Sequence, residues 1–151
     1  GYSDAENRAL EAAADSITLV KSGNFSIGIC VLEALVKQAA AALPKDWDAD
    51  ILDIHHRFKR DAPSGTALML GQALKDGGQD IEPDEYASLR HGGIIGEHSV
   101  YLGDTMEVVT LSHKALDRAV FAKGALTAGL WAVGQDKGLY DMRDVLGVRS
   151  V

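Results

Sequence analysis

The chain has 151 residues, a formal net charge of −7, 46% hydrophobic and 25% charged residues, which is ordinary globular composition and enough length for one domain with a core of its own. The acidic balance excludes general nucleic-acid binding through a basic surface, and the single cysteine, Cys30, excludes an internal disulfide. No run of about 18 apolar residues occurs, so no membrane-spanning helix is expected; residues 1–8 lack the basic and apolar regions of a signal peptide, and a lone thiol suits a reduced, cytoplasmic setting.

Ser3 or Asp4 is placed to cap a first helix running to residue 14. Ile17-Thr18-Leu19-Val20 is a short buried-strand pattern, broken by Ser22-Gly23-Asn24. The spacing of Ile27, Val31, Leu35 and Ala39 predicts a long helix over 26–43, ended by Pro44. Cys30 falls inside it, the setting of a buried, inert thiol. Residues 47–56 read as a strand, and residues 65–75 as a helix ending in Gly77-Gly78. Three strands are expected over 86–90, 96–102 and 106–113. Gly103-Asp104-Thr105 is the expected tight turn between the last two, with Val100, Leu102, Val108 and Thr110 on one face. Asp117 is placed to cap a helix to residue 134, in which Gly124 and Gly129 mark close packing; a short helix over 139–146 closes the chain. This order predicts an α+β fold, with a mixed, largely antiparallel sheet of about four strands and helices on one face. The other face needs a cover, and sheet packing between subunits predicts a homo-oligomer.

The chemistry concentrates in residues 55–67. His55 and His56 exchange protons near neutral pH. Lys59 is a mobile point charge. Pro63 stiffens the turn before Ser64, a good N-cap, and Gly65 and Thr66 then offer N–H groups at the positive end of a helix dipole, a nest for a carboxylate or phosphate. Each feature has a plain alternative: such a turn also serves as a bare helix cap, and one of two adjacent strand histidines can be a core residue. Their conjunction favours a site for a small anion. The five histidines, His55, His56, His91, His98 and His113, lack metal-ligand spacing, so no metal is expected.

The stretch from His55 to Ala67 closely resembles the signature of the 4-hydroxy-tetrahydrodipicolinate reductase (dihydrodipicolinate reductase) family of lysine and diaminopimelate biosynthesis. That family's pattern, His-His-x-x-Lys-x-Asp-Ala-Pro-Ser-Gly-Thr-Ala, is met in full. Asn24-Phe25-Ser26-Ile27-Gly28, Gly96-Glu97-His98, Ser112-His113-Lys114-Ala115 and Gly138-Leu139-Tyr140-Asp141-Met142 resemble further family segments. The resemblance implies reduction of a cyclic imine dicarboxylate by NADPH or NADH with net loss of water. It implies His55 as proton donor and acceptor and Lys59 as proton donor, with the substrate bound by His56, Ser64, Gly65 and Thr66. Ser22, Gly23, Asn24 and Phe25 would touch the nicotinamide end of the cofactor, although Asn24 is equally suited to shaping the turn. The implied division is residues 1–22 as the end of a dinucleotide-binding domain, 23–136 as the substrate-binding and oligomerisation domain, and 137–151 as a segment returning toward the N-terminal domain. The family's Rossmann domain, with its Gly-rich turn, is not found in this chain. The family is typically tetrameric through sheets of this domain. The alternative is a dicarboxylate-binding or assembly module without catalysis.

Overall fold

A computed structural model describes residues 2–148. Helix α1 (Asp4–Ala14) begins at a reciprocal cap: Ser3 Oγ accepts from the Glu6 N–H, and the Glu6 carboxylate accepts from the Ser3 N–H. After β1 (Thr18–Val20), Ser26 caps α2 (Ile27–Ala42), which buries Ile29, Leu32, Val36 and Ala40 at three- and four-residue intervals. Leu43 is extended, as a residue before proline must be, and the helix stops there. Strand β2 (Asp48–His55) buries alternate residues, Ile51, Asp53 and His55. Then come α3 (Gly65–Asp76), a 3-10 turn (Pro83–Glu85), β3 (Ala87–Arg90), β4 (Glu97–Gly103), β5 (Val108–Lys114), α4 (Ala119–Ala132), β6 (Gly138–Tyr140) and α5 (Met142–Leu146).

The main sheet has the order β3-β2-β4-β5; only β2 and β3 run parallel, so the sheet is mixed and largely antiparallel, as expected. Helices α2 and α3 pack on one face. The core between them joins Leu32 and Val36 to Leu70, Leu74, Ile51, Val100 and Leu102. Each such aliphatic side chain, fully buried, contributes about 1.5–3 kcal/mol. The other face carries Leu52, Ile54, Leu89, Tyr101 and Val108, of which Leu89 and Val108 are exposed among the described residues. A second, smaller cluster gathers Cys30, Ala128 and Met142 beside the two-stranded parallel sheet β1-β6. Helix α4 passes so close to the chain there that a Cβ on Gly124 would lie 1.6 Å from the Phe25 carbonyl oxygen.

Two expectations change. The β4–β5 connection is residues 104–107, with Asp104 Oδ1 accepting from the Met106 and Glu107 N–H groups and Gly103 opposite Val108. Val100 therefore faces Leu111, and Leu102 faces Val109; Val108 and Thr110 lie on the opposite face from Val100 and Leu102. The register differs by an odd number of residues from that of a three-residue turn, and an odd shift exchanges the faces. The closing helix is also shorter than expected. Residues 138–140 are strand β6, which exists only because β1 offers a ladder, and the helix starts after Asp141, whose carboxylate accepts from the Arg143 and Asp144 N–H groups.

Candidate active site

Strand β2 ends by delivering Asp53 and His55 to the helix-covered face, two residues apart and therefore on the same side. Asp53 is fully buried. Its carboxylate accepts from Arg90 Nη1 at 3.1 Å, Arg90 Nη2 at 3.3 Å and the Ser64 N–H at 3.0 Å. Burial pushes this carboxyl up, but hydrogen bonds from Arg90, Ser88 and Ser64 outweigh it and hold the pKa down at about 2. His55 Nδ1 lies 3.3 Å from Asp53 Oδ2, sealed from solvent and without an aligned hydrogen bond. Burial lowers the His55 pKa, Asp53 opposes that, and Lys59 and Arg90 add to it, which favours the neutral ring.

Around His55 the chain encloses a small cavity of about 40 Å³, lined among others by Asn24, Thr66, Gly96, His98, His113 and Phe121. His98 stands edge-on to His55 with ring centroids 5.0 Å apart, and burial pushes its pKa down to about 4. His113 reaches over α2 where Gly28 leaves room: a Cβ there would lie 2.6 Å from the ring. Burial lowers its pKa as well.

The N-terminus of α3 meets this cavity at Thr66. Ser64 Oγ accepts from the Ala67 N–H at 3.2 Å, which leaves the N–H groups of Gly65 and Thr66 without a protein partner among the described residues. A Cβ on Gly65 would meet nothing within 4 Å, so the approach to those N–H groups is open. Ser64 itself departs from the expected role. Only 1% exposed, its hydroxyl is engaged by the cap and by His98 Nε2 at 3.2 Å, and it holds the loop from inside rather than facing a ligand.

The remaining expected residues spread around this centre. His56 takes the opposite side of the chain from His55, half-buried and tilted against Phe58, outside the cavity lining. Lys59 is in the loop, its N–H donating to the His56 carbonyl and its ammonium 2.8 Å from Asp61, whose carboxyl the Lys59 hydrogen bond holds low. Asn24 shapes its turn and reaches the site: Oδ1 accepts from the Ser26 N–H at 2.8 Å, and Nδ2 donates to Thr66 Oγ1 at 3.0 Å. Cys30 donates to the Asn24 carbonyl, and burial pushes its thiol up to about 11, as suits an inert group. Ser22 and Gly23 border a separate cavity of about 190 Å³ with Met69 and Arg143. Phe25 lines a third, apolar one with Leu10, Leu19 and Leu139. The four residues of the turn are thus divided among three cavities, with Asn24 as the link to His55.

Asp53 and Arg90 belong to the site's framework and were not singled out by the sequence; His98 and His113, which lie in segments resembling the family, join it without a role assigned to them there. The signal for Asp53 was its spacing: an acid two residues before a strand histidine shares its face. Asp53, His55 and His98 place ligand atoms within 4.8 Å of one another, a spacing a metal ion would accept. The guanidinium of Arg90 already neutralises that carboxylate, and a second cation beside it is disfavoured.

A family model described as "Dihydrodipicolinate reductase, C-terminus" matches residues 28–146. The chain belongs to that family. It is similar to 4-hydroxy-tetrahydrodipicolinate reductase of Caulobacter vibrioides, 47% identical over 169 residues, covering 99% of this chain and 66% of the relative. It is similar also to the enzyme of that name from Brucella melitensis, 48% identical over 170 residues, covering 99% of this chain and 63% of the relative. The chain thus spans a little under two thirds of the length of these relatives. A solved structure titled dipicolinate-bound dihydrodipicolinate reductase, from Paenisporosarcina sp. TG-14, has the same fold, with a TM-score of 0.71 at 24% identity over 93% of this chain and 60% of that one. Among the described residues no helix is long and apolar enough to cross a membrane.

The family's activity implies a nicotinamide cofactor. The backbone at Ser22 and Gly23 leaves room for a group there: a Cβ on Gly23 would meet only Met69 Sδ, at 3.8 Å, and the adjoining cavity is about 190 Å³.

Proposed function

We propose that this chain supplies the dicarboxylate site and the proton-transfer groups of an NAD(P)H-dependent reductase acting on 4-hydroxy-tetrahydrodipicolinate. The observation that carries the reading is that one cavity brings the His55 ring together with Thr66 at the open start of α3. A ring carboxylate would lie on the Gly65 and Thr66 N–H groups, where the helix dipole and free donors both favour an anion. Asn24, by holding Thr66 Oγ1, keeps that hydroxyl in place for the same carboxylate. His56 and Lys59 belong to the loop that follows His55, and there His56 would bind the substrate. Loss of the ring hydroxyl as water takes up a proton, and Lys59 is the donor at hand; His55 exchanges a proton with the ring through the nitrogen facing the cleft. When bound, the nicotinamide supplies the hydride, with Ser22 and Gly23 at its edge. Assembly is proposed through the exposed sheet face bearing Leu89 and Val108, as a homo-oligomer of the tetrameric kind, in a cytoplasmic setting of lysine and diaminopimelate biosynthesis.

The test is Lys59→Ala in the full-length protein that carries this domain. Turnover should fall by about two orders of magnitude or more while the fold is retained. Unchanged turnover refutes the reading. The competing reading is a dicarboxylate-binding or assembly module without catalysis. It predicts binding of pyridine-2,6-dicarboxylate with no NADH oxidation by the full-length protein, and oxidation of NADH excludes it.

A further inference from the structure

We infer that Asp53, fixed in place by Arg90, is the positioning residue for His55, holding the ring as its Nδ1–H tautomer with the Nε2 lone pair turned to the cleft. This rests on the proposed role of His55 as the proton-exchanging group. The carboxylate lies 3.3 Å from a ring nitrogen that is sealed from solvent and has no other partner. Were Nδ1 bare, its lone pair would face a buried carboxylate oxygen, two acceptors with nothing between them; with Nδ1 protonated the contact is attractive. Nε2 is at the other end of the ring, beside Gly96, where a Cβ would come to 3.2 Å of it, so the glycine keeps that edge clear.

The carboxylate cannot turn away. Arg90 grips both of its oxygens, and the Ser64 N–H adds a third bond. Arg90 is itself tied down, Nη1 to the Leu89 carbonyl at 3.0 Å and Nη2 to the Asp61 carbonyl at 2.7 Å. Asp61 in turn pairs with Lys59. One buried ion pair therefore meets the His55 ring, the Ser64 N–H ahead of α3 and, through Arg90, the Asp61 carbonyl in the loop that carries Lys59. The charged and titratable groups facing His55 are Asp53 on its own strand, Arg90 on β3, His98 on β4, His113 on β5 across the cavity, and Lys59 and Asp61 in the loop. Of the two carboxylates, Asp53 is the one paired with Nδ1 among the described residues.

The experiment is long-range ¹H–¹⁵N correlation of the histidine rings between pH 6 and 8. In the wild-type chain His55 should show a protonated Nδ1 and a bare Nε2; a protonated Nε2 with bare Nδ1 overturns the inference. In Asp53→Asn the single tautomer should give way to a mixture, and in the full-length protein kcat should fall about a hundredfold with KM changed by less than about threefold. Asp53→Glu should restore at least a tenth of the lost kcat. Equal changes in kcat and KM, or a pure His55 Nδ1–H tautomer surviving in Asp53→Asn, overturn it. If Asp53→Asn fails to fold, the wild-type spectrum alone decides. Binding of pyridine-2,6-dicarboxylate to the wild type separates the two readings: binding with the wrong tautomer removes the inference and leaves the dicarboxylate site, whereas no binding removes the site and leaves the tautomer result standing on the spectrum.

Discussion

Acid should remove a defined share of stability through Asp53. Its carboxyl is held at about 2 in the folded chain, against an ordinary value of 3.8. The folded value is the lower one, so folding favours the ionised form; that stabilisation is complete above pH 4 or so and is lost as the pH falls through about 2. The difference between the two values corresponds to about 2–3 kcal/mol, of which roughly half is gone by pH 3. Urea unfolding of wild type and Asp53→Asn, at pH 7 and at pH 3, isolates the effect. At pH 7 the variant should be less stable by up to about 3–5 kcal/mol, because Arg90 loses a buried partner. At pH 3 the gap should narrow by about 1 kcal/mol. His98, with its pKa near 4, and His55, also lowered, lose stability as the pH falls below their ordinary value of 6.5; burial is the main cause for both and is common to the two proteins, so most of this loss cancels. A gap that stays constant from pH 7 to pH 3 would refute the burial and pairing assigned to Asp53.

Gly124→Ala should destabilise the chain by at least about 1–3 kcal/mol, because its methyl group has no space beside the Phe25 carbonyl; an unchanged thermal midpoint would show that α4 does not approach so closely. Ser64→Ala should cost about 1–2 kcal/mol through the lost cap on α3, measured by chemical denaturation, while affinity for pyridine-2,6-dicarboxylate stays within about threefold. A tenfold loss of affinity at unchanged fold would return the Ser64 hydroxyl to the cleft.

What the sequence made legible was local. Ser3, Ser26, Ser64 and Asp117 stand next to the N–H groups they accept from, so a helix start can be read from a few adjacent residues. The same holds for the run from His55 to Thr66, where strand end, loop and helix cap are contiguous. Non-local pairing was out of reach. Strand β6 depends on β1, more than a hundred residues earlier in the chain. Arg90 comes to Asp53 across 37 residues because β3 joins β2 in parallel, and nothing near either residue announces it. The β4–β5 faces failed for a different reason: both strands were recognised, but the Asp104 turn sets register, and a strand's period of two leaves no tolerance for an odd slip. Ser64 was recognised as a cap, yet the inward path of its hydroxyl to His98 becomes visible only once β4 is in place.

The β1–β6 pair has a mechanical side. The two strands are parallel, and the ladder is flanked by the Lys21 N–H donating to the Tyr140 carbonyl and the Gly138 N–H donating to the Ile17 carbonyl. Tension applied between the chain before β1 and the chain after β6 acts at opposite ends of this ladder. It slides one strand along the other, so that the hydrogen bonds are loaded together rather than opened one after another. Helices α1 and α5, whose turns yield singly, give way first, and the short ladder then shields the main sheet and the His55 cavity until it shears, an event governed by an unfolding rate rather than by equilibrium stability.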